Sequence, residues 1–116
     1  MNTPLVPGIH LVDAEELGPQ WWASTGSHWR IGEMDGGVDR REVLGLLGRA
    51  LGFPEYYGQN MDAAWDCLTD LTEPTALVWR GWQDLAVNHP QAWAGLLGMF
   101  TERCAQQPEF AVVLTR

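Results

Sequence analysis

Two nearly continuous apolar runs constrain the fold of this chain more than any other feature of its sequence. They occupy Thr75–Arg80 and residues 109–115. A strand with one solvated face alternates apolar and polar residues, so uninterrupted runs are typical of strands that are covered on both faces. A third strand is predicted over residues 29–34.

Amphipathic helices are predicted in the segments that separate these strands. Asp39 and Glu42 stand at the spacing of a capping box and open a helix over residues 39–51. Apolar residues at helical spacing predict two further helices, over residues 61–71 and 90–105. Helices that alternate with buried strands connect parallel strands through right-handed crossovers, so the pattern predicts a compact α/β domain with a parallel sheet.

The first 27 residues fit this alternation least well. Residues 8–12 are a candidate short strand, and residues 13–23 are a candidate short helix that Gly18-Pro19 would interrupt. No linker or low-complexity stretch separates this segment as a domain of its own. We therefore expect residues 1–27 to be an elaboration that packs on the same domain as residues 28–116.

The charge balance indicates which kind of partner the chain can bind. Fifteen Asp and Glu residues stand against seven basic residues, all of them arginine, for a net charge of -8. Such a chain repels the phosphates of nucleic acid, so DNA and RNA are not expected as partners. A basic protein surface is attracted to it, which speeds their encounter.

Neither a disulfide framework, a metal site nor a membrane span is expected. Cys67 and Cys104 are far apart in sequence and belong to no C-x-x-C motif. His10, His28 and His89 have no second ligand or nucleophile at useful spacing. The N-terminus lacks the features of a signal peptide, and no run of about 18 apolar residues occurs. We expect a cytoplasmic protein that needs no cofactor.

Three aspartates form a ridge along the helix predicted over residues 61–71. Asp62, Asp66 and Asp70 stand at i, i+4 and i+8, on a different face from the apolar positions. Like charges at this spacing repel one another by roughly a few tenths of a kcal/mol per pair, and no basic residue lies in or next to the helix to relieve them. Spacing alone leaves two interpretations open, a solvated acidic face and a binding surface.

Residues 54–69 carry a more specific signal. They read Pro-Glu-Tyr-Tyr-Gly-Gln-Asn-Met-Asp-Ala-Ala-Trp-Asp-Cys-Leu-Thr and closely resemble the signature segment of the barstar family. The resemblance extends through Trp79 and the Phe100-Thr101-Glu102 stretch, and covers about residues 29–116. It implies a small three-stranded parallel sheet packed by helices, in agreement with the fold class predicted from the order of strands and helices. It also implies tight inhibition of guanyl-preferring bacterial ribonucleases, whose active-site cleft holds RNA phosphate with cationic side chains.

The resemblance further implies which residues contact the partner. Asp66 matches the carboxylate that enters the catalytic phosphate pocket, where arginine guanidinium groups can hold it through two hydrogen bonds. Asp62 matches a neighbouring acidic contact, Tyr56 the aromatic residue that covers the catalytic histidine, and Glu102 an outlying carboxylate on the later helix. The full set is Tyr56, Gly58, Asn60, Asp62, Trp65, Asp66, Thr69 and Glu102. None of these residues is implied to be catalytic or to bind a metal.

Two departures from the family pattern bear on partner choice. Leu71 stands where some relatives have an aromatic residue at the end of the binding helix, and Gln59 stands where an acidic residue can occur. The cognate partner is therefore expected to differ among relatives. Residues predicted to pack in the core rather than to bind are Tyr57, Met61, Leu68, Trp79, Trp93 and Phe100.

The resulting hypothesis is an intracellular inhibitor, monomeric when free, that forms a 1:1 complex with a basic, secreted-type ribonuclease. One alternative is an immunity or regulatory protein of the same fold that is directed at a different toxin. Another is a hydrolase that uses Asp62, Asp66 and Glu102 for metal-assisted or general acid–base chemistry. The hydrolase has little support, because no known catalytic motif is present and no histidine or lysine lies near these carboxylates in sequence.

Overall fold

Strands and helices alternate along the chain in the computed structural model, which describes residues 5–26, 28–54 and 57–116. A short 3-10 turn at Ala14–Glu16 lies between the first strand and the first helix. The other elements are β1 (Gly8–Val12), α1 (Pro19–Gly26), β2 (Arg30–Asp35), α2 (Arg40–Leu51), α3 (Met61–Thr69), β3 (Thr75–Arg80), α4 (Gln83–Asn88), α5 (Pro90–Cys104) and β4 (Phe110–Thr115). Within these ranges, no helix has the length and apolar content that crossing a membrane requires.

The strands form one parallel sheet in the order β1-β4-β3-β2. The predicted class, an α/β fold with a parallel sheet packed by helices, is confirmed. The predicted number of three strands is wrong, because β1 pairs with β4 from Gly8↔Ala111 to Val12↔Thr115. This pairing satisfies the backbone groups along the side of β4 that a three-stranded sheet would leave open as an edge.

Both faces of the sheet are covered, which explains the continuous apolar runs of β3 and β4. The main core lies on one face and contains Leu77 and Trp79 together with buried residues of the helices. On the other face, Val78 and Val113 are fully buried in a smaller cluster against Leu17. Trp21 and Trp22 pack against this smaller cluster, so part of the N-terminal segment covers the second face of the sheet.

Helix α2 has the boundaries that its local signals predict. Asp39 is the N-cap, and its side chain accepts a hydrogen bond of 2.9 Å from the backbone N–H of Glu42. Gly52 ends the helix in the left-handed region, at φ 68°, where a side chain would be strained.

Other boundaries differ from those predicted. The predicted helix over residues 13–23 is a 3-10 turn followed by α1, which begins at Pro19 because proline lacks the N–H that a helix interior needs. Helix α3 ends at Thr69 rather than at residue 71. The amide of Leu71 donates its hydrogen bond to the carbonyl of Leu68, three residues earlier, and not to the residue four positions earlier as in an α-helix. Helix α4 was not predicted, because its six residues are too few to show a helical period.

Candidate functional site

The acidic helix α3 has a well-defined start. Gln59 adopts a left-handed conformation, with φ 51°, and Asn60 is extended. The Oδ1 atom of Asn60 then accepts a hydrogen bond of 2.8 Å from the backbone N–H of Ala63. Asn60 therefore acts as the N-cap of α3, and any contact with a partner would be additional to this role.

Replacing Asn60 by Ala is expected to lower the free energy of unfolding by about 1 kcal/mol, because the amide of Ala63 loses its acceptor. Urea denaturation followed by circular dichroism measures this change. Asn60→Asp keeps an acceptor at the cap and should retain most of the stability. Equal losses in both variants would show that the cap hydrogen bond is not what stabilises the start of α3.

The two faces of α3 are sharply different. Ala64 and Leu68 are fully buried in the main core, and Met61 and Trp65 pack against it. The outer face carries the exposed polar residues Asp62, Asp66 and Thr69, and the exposed Asp70 follows them as the C-cap of the helix. The helix is thus held on one side by the core while its carboxylates face solvent.

None of these carboxylates forms an ion pair within the described ranges. Within the described ranges the ion pairs are Arg30–Glu73, Arg80–Glu33 and Arg116–Asp13, so Asp62, Asp66, Asp70 and Glu102 take part in none of them. The negative charge is felt by the half-buried thiol of Cys67. Burial, followed by the carboxylates of Asp70 and Asp66, raises the pKa of that thiol. The acidic face therefore gains no stability from ion pairs within this part of the molecule, although Arg30 lines the same cavity as Asp66 and Asp70.

A cavity of about 440 Å³ lies between α3 and the loop that follows α2. Asp66 and Asp70 line it together with Gly58, Tyr57 and Cys67. The structure thus brings Gly58 and Asp66, two of the predicted contact residues, to the same cavity. Asp70 also lines this cavity, and the sequence leaves open whether Asp70 takes part in binding.

A second groove, of about 340 Å³, lies between α3 and α5. Trp65 on α3 and Glu102 on α5 both line it, and Glu102 is exposed. Asp62 and Thr69 line neither this groove nor the first cavity, and the Thr69 hydroxyl donates a hydrogen bond of 2.9 Å to the carbonyl of Asp66. The binding role of each of these residues stays a prediction.

Tyr57 anchors the loop that precedes α3. Its ring meets that of Phe53 edge to face at 5.1 Å between centroids, and it lies so close to Gly48 on α2 that a Cβ atom there would come within 2.8 Å of the ring. This packing agrees with the prediction for Tyr57. Tyr56, predicted to contact the partner, lies outside the described residues.

The hydroxyl of Tyr57 is expected to make stability depend on pH in the alkaline range. Burial, and secondarily Cys67, raises the pKa of Tyr57 to about 12. An unfolded tyrosine loses its proton at about pH 10. Between these values the unfolded chain binds fewer protons than the folded one, so stability falls as pH rises. The free energy of unfolding, measured in urea at a series of pH values above about 9, should show this slope.

Tyr57→Phe removes this titrating group and should make that slope smaller; the raised pKa of Cys67 contributes to the slope in the same direction and remains. The sequence has two tyrosines, so in a Tyr56→Phe background only Tyr57 remains, and its ionisation can be followed directly by tyrosinate absorbance. A titration midpoint near the unfolded value would contradict the prediction.

The cysteine, histidine and carboxylate side chains are the candidates for metal binding or disulfide formation. Among the described residues, no cluster of three or more His, Cys, Asp or Glu side chains is arranged to hold a metal ion. Cys67 and Cys104 are free thiols, each partly buried.

Comparison with known proteins shows which family the chain belongs to. A family model described as "Barstar (barnase inhibitor)" matches residues 30–115, well over half of the chain. This chain belongs to the barstar family. All eight predicted contact residues lie within the matched range, whereas β1 and α1 precede it.

A curated relative of the chain is "Putative ribonuclease inhibitor YrdF" of Bacillus subtilis (strain 168). The two are 50% identical over 38 residues. The match spans 33% of this chain and 30% of the relative, so less than a third of that protein's length is covered.

Sequence reasoning missed one buried residue next to the site. Arg103 follows Glu102 on α5 and is fully buried. A signal was present, because Arg103 stands three residues after Phe100 and seven after Leu96, on the apolar stripe of the helix. A charged residue on an apolar stripe needs a specific partner, and identifying that partner required the tertiary structure.

Proposed function

We propose that this member of the barstar family is an intracellular inhibitor of a small, guanyl-preferring bacterial ribonuclease, and that it acts without catalysis and without a cofactor. The observation that carries the proposal is the acidic face of α3. Asp62, Asp66 and Asp70 are exposed, take part in none of the ion pairs of the described residues, and stand on a helix whose opposite face is packed in the core.

This arrangement suits the active site of a ribonuclease. An enzyme that cleaves RNA must hold phosphate with cationic side chains, and a carboxylate can occupy the same position. Asp66 is proposed to enter the phosphate pocket, with Asp62 beside it. Since the helix is already folded and anchored, docking costs little ordering of the backbone, which favours tight binding.

The predicted contacts outside α3 extend the proposed surface on both sides. Gly58 shares a cavity with Asp66, and Glu102 shares a groove with Trp65. We further propose a 1:1 complex with a basic, secreted-type ribonuclease, and a chain that is monomeric when free. Residues 1–27 are proposed to be an elaboration of the same domain, supported by the pairing of β1 with β4.

The test is a titration of this protein into a panel of small guanyl-preferring ribonucleases while RNA cleavage is followed. Loss of activity at one equivalent of inhibitor is expected for the cognate enzyme. The association rate should fall steeply as salt is added, because attraction between an acidic and a basic surface is screened. The protein alone, with and without added Mg²⁺ or Zn²⁺, is the control for hydrolysis.

The alternatives give different results in the same experiment. A protein directed at another toxin would leave every ribonuclease of the panel active. A hydrolase would cleave substrate by itself and would show metal binding in calorimetry. Either result would overturn the proposed function.

A further inference from the structure

Arg103 is an arginine that α5 directs into the interior. Its side chain has 0% exposure, although the preceding residue, Glu102, faces solvent. Arginine is rarely buried to this extent unless it is paired with an acidic group, and none of the ion pairs of the described residues includes Arg103. Burial lowers the pKa of the guanidinium, but arginine keeps its charge in proteins.

The contacts of Arg103 lead to the acidic helix. Its Nε atom donates a hydrogen bond of 2.7 Å to the carbonyl of Leu68, in the last turn of α3. Its Nη1 atom donates a longer bond of 3.4 Å to the carbonyl of Gln106, and the guanidinium carbon lies 5.6 Å from the centre of the Phe110 ring. The Nη2 atom is buried without a hydrogen-bond partner in the described part of the chain.

The hydrogen bond from Arg103 reaches the C-terminal end of α3. The carbonyl of Leu68 also accepts a long hydrogen bond of 3.4 Å from the amide of Leu71, and the partial negative charge of this helix end favours a cation. The same turn carries Asp66 and Asp70, whose negative charges are unfavourable near a helix C-terminus. A buried guanidinium bonded to Leu68 opposes both effects from behind the exposed face.

Stability alone accounts poorly for this residue. A buried charge whose Nη2 atom lacks an acceptor carries a desolvation cost, and apolar side chains in such places are often as stabilising or more so. Leu96 and Phe100, on the same stripe of α5, show that apolar residues are accommodated there.

We infer that Arg103 is a positioning residue: it fixes the last turn of α3 against α5, so that Asp66 on one helix and Glu102 on the other are presented to a single partner. This inference rests on the proposed function for the identity of the partner. The link between the two helices does not depend on that identity and can be tested separately.

Amide hydrogen exchange tests the link in the free protein. The amide of Asp70 bonds to the carbonyl of Asp66 and reports on the last turn of α3, whereas the amide of Val78 reports on the central strand β3. In Arg103→Met, exchange at Asp70 is expected to rise by about tenfold or more, with a much smaller change at Val78, because the opening is local. Arg103→Lys retains the charge and a donor and should lie between this variant and the wild type.

The control is Leu96→Ala, which damages the core of α5 without removing a polar contact to α3. It should raise exchange without a selective effect at Asp70. The inference is overturned if Arg103→Met accelerates exchange at Asp70 and Val78 by the same factor, if it changes neither, or if Leu96→Ala reproduces its selective effect.

Binding of the ribonuclease gives a second readout that simple destabilisation would not produce. Glu102→Ala is expected to weaken binding less in the Arg103→Met background than in the wild type, because the two helices no longer present their carboxylates together. Equal losses in both backgrounds would overturn the positioning role. If no ribonuclease is inhibited by the wild-type protein, the proposed function fails, and hydrogen exchange alone decides whether Arg103 fixes α3.

Discussion

Replacing Asp66 by Ala is expected to weaken binding of the cognate ribonuclease by about 2–5 kcal/mol, which is roughly 30-fold to several thousand-fold in Kd. Asp66 is exposed in the free protein and takes part in none of the ion pairs of the described residues, so no ion pair has to be broken before it meets a partner. In the proposed complex this carboxylate would pair with buried cations of the enzyme, which its removal would leave unpaired. The measurement is the inhibition constant for RNA cleavage, supported by calorimetry.

The same change should hardly affect folding. Surface substitutions away from caps and cores usually alter the free energy of unfolding by about 0.5 kcal/mol or less, and removing Asp66 relieves repulsion along α3. Urea denaturation of Asp66→Ala checks that the loss of inhibition is not a loss of structure.

A matched control separates a specific contact from the overall charge of the protein. Asp84 is exposed on α4, outside the proposed surface, and Asp84→Ala removes the same unit of charge. It should leave inhibition nearly unchanged. Equal losses for Asp84→Ala and Asp66→Ala would show that net charge, and not a carboxylate in the phosphate pocket, accounts for binding.

Replacing Trp79 by Ala is expected to have the largest effect on folding, a loss of about 3–5 kcal/mol, because a large cavity would open in the main core. Trp79 has 0% exposure and lies with its ring centre 5.6 Å from that of Trp93 and 6.5 Å from that of Phe100. Its indole N–H also donates a hydrogen bond of 2.9 Å to the carbonyl of Gly36. Urea denaturation gives the change, and a protein of ordinary stability would be close to unfolding.

Trp79→Phe separates the contribution of the buried apolar volume from that of the hydrogen bond to Gly36. It keeps most of the apolar volume but leaves the carbonyl of Gly36 without its donor, so a smaller loss is expected than for Trp79→Ala. Unchanged stability in Trp79→Ala would contradict the assignment of this residue to the core.

The elements that the sequence predicted best are those with local signals at both ends. Helix α2 was predicted within one residue, because Asp39 and Gly52 form its caps through contacts with residues three or four positions away. Strands β3 and β4 were recognised by their apolar runs. The short helix α4 was missed because six residues do not display a period, although its Leu85 is fully buried.

The candidate site was predicted from two kinds of signal. The spacing of Asp62, Asp66 and Asp70 placed them on one face of α3, and the resemblance of residues 54–69 to the barstar family implied what that face contacts. Their exposure agrees with this interpretation, while their roles in binding await the experiments above.

The α/β class, the N-cap of α2 and the acidic face follow from local patterns of residues, because these features depend on residues a few positions apart. The place of β1 beside β4, the groove that Glu102 shares with Trp65, and the hydrogen bond from Arg103 to Leu68 follow only from the packed fold. Each of these pairs joins residues more than thirty positions apart. Such contacts depend on how whole elements pack around a common core, and no local pattern of residue types specifies them.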